Sequence, residues 1–432
     1  MRQLDRSILR LAVPSIVQNV TVPLLGLVDL TVAGHLGATS VIASIAVASM
    51  LFNLTYWLLG FLRMGTSGLT SQALGRCDFA DVKRILRLSL RLSFAIGIVL
   101  VLFQNQLLSL GLFLIKPSSN VVSLVSVYFD ICIWGAPAVL SLFALNGWFI
   151  GNQDTKTPLY VAIVQNVLNI VLSVFFVFVS DLGIAGLAFG TLIAQWTGFV
   201  LSALIAFRRC GRIVESANSI PHLTSVSQIF AVNRDLFLRT IFLVGVNLFF
   251  TRAGAIQGDL ILSANATLLT FFTIFSYFMD GFAFAAEALC GKSVVSSDET
   301  ELKATINRLF VWGWIMVAIF TLVYAVGGRF FVSLITDHAD VVEMSNRYYW
   351  WVLVIPVAGT AAFLYDGIFV GMTETRGMLV SSVVSAIVFF GLFAVGYYCL
   401  DISLLNHSLW FSFIVYLALR GAIQWRWMKE LV

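Results

Sequence analysis

Two ten-residue stretches, GWFIGNQDTK at 147–156 and GIFVGMTETR at 367–376, share the pattern G-x-F-[IV]-G-x-x-[DE]-T-[KR] at an offset of 220 (367 − 147) in a chain of 432 residues. Each ends an apolar run with two glycines four apart, which share one helix face and let a neighbouring helix approach closely in lipid. Each then exits to water through an acid, a threonine and a base. A chain of this kind folds as one membrane unit used twice.

Composition agrees, because 59% hydrophobic and 11% charged residues leave too little polar surface for a soluble protein and match a helical membrane protein. Barrel strands would alternate in polarity instead. At about 20 apolar residues per span, the hydropathy pattern predicts twelve helices, near 10–34, 41–71, 88–115, 121–150, 157–179, 183–207, 236–257, 260–290, 304–334, 341–371, 377–400 and 404–425. The expected fold class is an all-α integral membrane protein with twelve transmembrane helices in two pseudo-symmetric six-helix bundles. The first bundle covers 1–207 and the second 236–432, joined by a cytoplasmic linker, 208–235, that is rich in Ser and Asn and carries Pro221. The first apolar stretch is too long for a secretory signal and carries Asp29, so it reads as the first span and not as a cleaved leader.

Charge sets the orientation. Arg2, Arg6, Arg10, Arg76, Lys83, Arg84, Arg87, Arg91 and most later basic residues fall on one side, while the other holds Lys116, Arg329 and Arg347. Both termini are therefore expected in the cytoplasm of a bacterial cell, with the protein in its cytoplasmic (inner) membrane. The net charge of +4 is accounted for by membrane lipids of the anionic leaflet, with no need of nucleic acid. Five cysteines, Cys77, Cys132, Cys210, Cys290 and Cys399, read as free thiols on the reducing side or in helices.

The repeat extends beyond its best segment. Asp78 to Lys83 parallels Asp298 to Lys303 at 220, and Pro137 parallels Pro356 at 219. Arg63 to Gly65 parallels Met279 to Gly281 at 216, which implies a gap and sets Met64 against Asp280 and Ser71 against Glu287. Six helices, an even number, separate the copies, so they relate by an axis along the membrane normal and a substrate would sit where they meet.

Asp29, Arg63, Asp130, Arg252, Asp280, Glu287 and Asp366 fall in or beside apolar runs. Each would cost about 2.5 to 3.5 kcal/mol at a helix centre facing lipid, so each should face protein or water. Pro14 and Pro23 precede Asp29 and would bend the first helix, freeing backbone carbonyls near the carboxylate. Asp280 and Glu287, seven apart, share a helix face, and Arg63 or Arg252 would neutralise one of the acids. Structural pairing is the plainer reading for that pair. The aromatic run Phe271 to Phe278 would cushion a cation through its π faces, although helix packing is the plainer role for any single ring.

Three runs carry a family resemblance: VDLTVAGHLG at 28–37, FLRMGTSGLTSQALG at 61–75 and YFMDGFAFAAEA at 277–288. Together they resemble the multidrug and toxic compound extrusion (MATE) family, in particular its DinF-like branch. The resemblance implies two bundles around a central cleft, alternating access, and efflux driven by inward flow of H⁺ or Na⁺. By the same resemblance Asp29 matches a protonatable aspartate of the first helix, and Asn146, Asn169 and Thr191 match polar residues of the same N-terminal cavity. Relatives of this branch often carry a second aspartate one turn after the helix-5 asparagine, where this chain has Ser173. A lone carboxylate with amide and hydroxyl neighbours favours H⁺ over a Na⁺ cage.

The expected function is secondary active export of amphipathic or cationic organic compounds in exchange for H⁺, with Asp280, Glu287 and Asp366 as candidate coupling or substrate residues of the second bundle. Na⁺-coupled multidrug efflux is one alternative. A lipid-linked saccharide flippase of the same superfamily is another, but it would favour a basic cavity over these acids. No cofactor is expected beyond the coupling ion, and a monomer suffices. Enzyme readings are weak. The segment AEALCGKS at 286–293 nearly spells a phosphate loop, yet Ala286 replaces the first glycine and the run follows a membrane helix instead of a strand. His35, His222, His338 and His407 fall in loops or near span ends, which disfavours metal or histidine-base catalysis. Gly186 and Gly190 read as a packing face.

Overall fold

The computed structural model describes residues 2–34, 39–115, 117–212, 224–296 and 299–431, and among these the regular structure is entirely helical. The helices are α1 (Arg2–Gly34), α2 (Thr39–Leu58), α3 (Phe61–Gly75), α4 (Phe79–Leu102), α5 (Gln104–Ile115), α6 (Ser119–Cys132), α7 (Ala136–Gly151), α8 (Lys156–Val174), α9 (Gly183–Arg212) and α10 (Val226–Ile256). They continue as α11 (Asp259–Val294), α12 (Glu299–Ile335), α13 (Ala339–Tyr348), α14 (Trp350–Met372), α15 (Thr375–Cys399) and α16 (Ile402–Leu431). Ten stretches among the described residues are long and apolar enough to cross a membrane. Two of these join consecutive helices, Ser40–Gly75 across α2 and α3 and Ser119–Gly151 across α6 and α7. With α1 and α16, 33 and 30 residues long, they correspond to the twelve segments read from hydropathy. The protein is a multi-pass helical membrane protein.

Several expected spans are interrupted. The second breaks at Leu59 and Gly60, and Gly328, at φ +23°, kinks α12. That φ is open to glycine and costly for other residues.

The repeated motif is the scaffold joint of both halves. A Cβ built on Gly147 of α7 would fall 2.2 Å from the Arg63 carbonyl oxygen of α3, and one on Gly367 of α14 would fall 2.3 Å from the Ala283 carbonyl oxygen of α11. Gly151 meets the Ser67 oxygen at 2.7 Å and the Ser71 nitrogen at 3.0 Å; Gly371 meets the Glu287 oxygen at 2.7 Å and the Gly291 nitrogen at 2.9 Å. Each contact recurs 220 residues later, so these helices align without a gap. The expected offset of 216 is corrected: Ser67, not Ser71, stands opposite Glu287.

The exits match as well. Gln153 and Thr373 adopt left-handed backbone, φ +60° and +56°. Asp154 N–H bonds to the Phe149 carbonyl and Gln153 N–H to Ile150, while Glu374 bonds to Phe369 and Thr373 to Val370. These paired bonds are Schellman closures of α7 and α14.

The chain forms two compact units, Val17–Phe230 in one and Met1–Ile16 with Ala231–Val432 in the other. In the first, Leu69, Val82, Leu145, Trp148, Phe149 and Ala206 form one core, with the Trp148 indole donating to the Val82 carbonyl at 3.1 Å. A second core gathers Ile45, Phe52, Tyr128, Phe129 and Ala188. Asp78 caps α4 by accepting the Asp81 N–H; its repeat counterpart Asp298 lies outside the described residues. In the other unit the start of α1 is clamped to α12. Arg308 donates through Nε and Nη2 to both oxygens of Asp5, the second at 2.8 Å, and the Trp312 indole donates at 3.0 Å. Gly281 of α11 lets α1 approach, since a Cβ there would fall 2.9 Å from the Ala12 carbonyl oxygen.

Candidate functional site

In the Val17–Phe230 unit, α8 and α9 pack closely because Gly186 and Gly190 carry no side chain. A Cβ on Gly186 would fall 2.8 Å from the Phe176 carbonyl oxygen, and one on Gly190 would fall 2.6 Å from Ser173 Oγ. That approach brings together three expected residues. Asn169 Nδ2 donates to Thr191 Oγ1 at 3.0 Å, Thr191 donates to the Leu187 carbonyl at 3.1 Å, and Ser173 lies one turn beyond Asn169 against Gly190. Asn169 and Ser173 are fully buried and Thr191 is 8% exposed.

The cluster is uncharged and incompletely satisfied. Asn169 Oδ1 and Ser173 Oγ are buried with no hydrogen-bond partner among the described residues, and an unsatisfied buried polar atom costs about 1 to 3 kcal/mol. A protonated carboxyl, a water or a cation would relieve that cost. Asn146 Oδ1 on α7 is likewise buried and unpartnered, but no bond joins it to the other three.

Asp29 lies on α1, and its side chain and that of Pro23 lie outside the described set. The later half of α1 reaches this region of the unit, since Asn166 Nδ2 of α8 donates to the Thr21 carbonyl at 3.4 Å. Asp29 is eight residues beyond Thr21, and Ser173 is seven beyond Asn166. α1 runs as one helix through Pro14 and Pro23. Pro14, which withdraws a donor from the helix ladder, stands two residues before α1 passes from one compact unit to the other.

The other unit holds a charged cluster. Asp366 of α14 accepts from Arg239 of α10 and Arg420 of α16 on one oxygen, and from Gln424 Nε2 at 2.8 Å on the other. Asp366 and both arginines are buried, at 6%, 6% and 4% exposure. The Arg420 guanidinium also lies over the Tyr416 ring at 5.8 Å. One buried carboxylate thus accepts from two guanidiniums and one amide. Arg239 and Arg420 belong to the later basic residues expected at the cytoplasmic side, and for Asp366 they are the partners. Arg252 is exposed on α10 and Arg63 is half-buried on α3. An arginine flanked by LAL and GAI at 420 was the available sign of burial.

Glu287 is buried at 1% and Asp280 half-buried two turns away on α11. Asp130 is exposed on α6. The aromatic run packs as core: Phe271 sits edge-on to Tyr324 and Tyr349, and Phe275 to Phe320 and Phe363. The Tyr324 hydroxyl donates to the Phe271 carbonyl at 2.8 Å and Tyr349 to the Tyr324 carbonyl at 2.9 Å. The phosphate-loop lookalike, 286–293, is continuous α11 helix, so it offers no loop of amides to a phosphate. No group of metal-ligating residues occurs among the described residues.

Outside the spans, Asp154 joins the motif's exit to α9. Burial pulls its carboxyl upward, but hydrogen bonds from the Thr157 hydroxyl and N–H and from Arg209 outweigh that and hold it below the usual aspartate range. The hydrogen bond from Arg308 does the same for Asp5.

Known proteins share this architecture. DNA damage-inducible protein F of Escherichia coli (strain K12) is 32% identical over 431 residues, 98% of this chain and 92% of that protein. Multidrug export protein MepA of Staphylococcus saprophyticus is 18% identical over 384 residues, 89% of this chain and 85% of that protein. A MATE protein crystallised in the bent conformation superposes with a TM-score of 0.87 at 16% identity, covering 99% of this chain and 95% of that one, and shares its fold. The MatE family model matches residues 14–175 and 236–394, one stretch in each half of the duplication. With that match and the full-length likeness to the Escherichia coli protein, the chain belongs to the MatE family of membrane transporters, and is not an enzyme.

Proposed function

We propose that this MATE-family efflux transporter is a proton-coupled antiporter of a bacterial cytoplasmic membrane, with both termini inside, exporting amphipathic or cationic organic compounds as a monomer. The observation that carries the proposal is the buried, uncharged cluster of Asn169, Ser173 and Thr191, which among the described residues holds two unpartnered oxygens and no carboxylate. Asp29 on α1 is then the acid left to carry a proton on this side. When protonated it carries the proton inward; when ionised it attracts a cationic substrate from the cytoplasm. Alternating exposure of the two forms exchanges one for the other, with the electrical part of the driving force about 2.3 kcal/mol per net charge per 100 mV.

Asp29→Asn should abolish substrate-dependent proton movement in proteoliposomes, and unaltered exchange by that variant would remove Asp29 from the mechanism. Two free oxygens also suit Na⁺, which prefers oxygen ligands, so Na⁺ coupling is the second reading. Transport in Na⁺-free buffer under an imposed pH gradient separates them: failure there with rescue by Na⁺ overturns the proton assignment. A saccharide-pyrophosphate flippase fits less well, since the buried arginines 239 and 420 are engaged by Asp366.

A further inference from the structure

A groove of about 360 Å³ lies on the Val17–Phe230 unit between α4, α7 and α9, lined by Leu90, Arg91, Phe94, Ala95, Ser141, Phe199 and Phe207. Phe94 and Phe207 are 40% and 53% exposed, so in a membrane the groove opens toward lipid. Two further observations give it chemistry.

Arg84, Arg87 and Arg91 stand at i, i+3 and i+7 on α4, on the helix face that continues into Phe94 and Ala95. None of the three makes an ion pair or hydrogen bond among the described residues, and Arg84 Nε is buried without a partner. The only acid of α4, Asp81, is fully buried and occupied by the Thr224 hydroxyl and N–H and by Arg76. Three uncompensated guanidiniums therefore lead into an apolar groove from the N-terminal end of α4. Inside the groove, the Ser141 hydroxyl is fully buried and has no partner.

We propose that this groove is a binding site for an anionic phospholipid. The phosphate sits against Arg87 and Arg91, one acyl chain lies along Phe94, Ala95, Phe199 and Phe207, and the Ser141 hydroxyl donates to an ester or glycerol oxygen. Arginine suits this task because its long stem packs on apolar surface while the guanidinium reaches back to the interface, where it pairs with phosphate through two parallel bonds. A neutral lipid would fill the apolar part but leave the arginines unpaired, and a free phosphate would leave the groove and Ser141 empty.

The test is native mass spectrometry of the full chain in detergent with equimolar phosphatidylglycerol and phosphatidylcholine. The unsubstituted protein should retain phosphatidylglycerol with a preference of roughly thirtyfold, from two basic side chains near the surface at about 1 kcal/mol each. Arg87→Gln/Arg91→Gln should fall to near parity, Ala95→Trp should lower retention of both lipids, and the charge-matched control Arg376→Gln/Arg426→Gln should keep the preference. No preference in the unsubstituted chain, or equal loss in the control, overturns the site. A second measurement needs no variant: phosphatidylglycerol with a diazirine on its acyl chain, in phosphatidylcholine vesicles, should cross-link to peptides containing 90–95 and 199–207. Labelling spread evenly over the exposed helices would equally overturn it.

Discussion

Asp366→Asn removes the one negative charge from a buried set that otherwise contains two guanidiniums. Asp366, Arg239 and Arg420 are each less than a tenth exposed, so water cannot replace the lost partner. Breaking a buried ion pair on one side costs about 3 to 5 kcal/mol. Spread over a unit of this size, each kcal/mol shifts the midpoint by roughly 2 to 4 °C, giving a fall of roughly 10 °C. Arg420→Met should cost less, because Asp366 keeps Arg239 and Gln424 and the remaining charges balance one to one. The triple change Asp366→Leu/Arg239→Leu/Arg420→Met should recover most of the loss, since a buried ionic set replaced whole by apolar side chains is often neutral or stabilising. Thermal unfolding of detergent-solubilised protein followed by intrinsic fluorescence reads all three. If Asp366→Asn melts within about 1 °C of the parent, or Arg420→Met melts lower than it does, the cluster is not a buried excess of positive charge. Transport by the triple variant then separates roles: activity retained per folded molecule makes Asp366 an anchor of α10, α14 and α16, and activity lost at full stability makes it part of coupling.

Gly147→Ala and Gly367→Ala should each lower stability by about 1 to 3 kcal/mol, because the new methyl meets a backbone carbonyl at 2.2 or 2.3 Å that no rotamer change can clear. Gly245→Ala, with nothing within 4 Å, should be neutral or stabilising by about 0.5 to 1 kcal/mol, and equal melting of all three would refute the close-packing argument. Asp154→Ala should cost about 1 kcal/mol as a lost cap of α8. The carboxyl is held below its ordinary range, so its contribution is complete above about pH 4 and is lost as pH falls through the lowered value. The difference in melting temperature between parent and variant should stay flat from pH 8 to 5 and shrink only in acid; shrinkage between pH 8 and 6 would contradict it.

The architecture was legible because lipid imposes it. Apolar runs of span length must be helical, and the paired glycines mark where two helices touch through their backbones. The motif even announced its own exits, since Asp154 both follows the helix end and caps the next helix. What stayed hidden were facts set by distant parts of the chain. Leu59 and Gly60 interrupt a run whose hydropathy is unbroken. Asp366 finds partners 127 residues before and 54 after it, and hydropathy cannot distinguish an arginine turned inward from one that snorkels to the cytoplasm. Only Asn169 and Thr191, among the expected cavity residues, proved to be bonded to each other.

The contacts that repeat and those that do not divide by atom type. Backbone contacts recur at 220: Gly147 on Arg63 with Gly367 on Ala283, Gly151 on Ser67 with Gly371 on Glu287, and two Schellman closures. Side chains at the same positions diverge. Asn146 carries an unpartnered amide oxygen where Asp366 binds two arginines. Asp154 caps α8, whereas Glu374 makes no capping bond to α15. Backbone contacts constrain shape and tolerate any side chain that points elsewhere, so duplication preserves them while charge is free to drift. One unit thereby holds a paired ionic cluster and the other an uncharged polar cluster with spare acceptors. The proposed proton carrier is assigned to the second environment, where the unpartnered oxygens are. The proposed coupling through Asp29 predicts that Asn146→Asp will not by itself restore substrate-dependent proton movement to an Asp29→Asn variant in proteoliposomes.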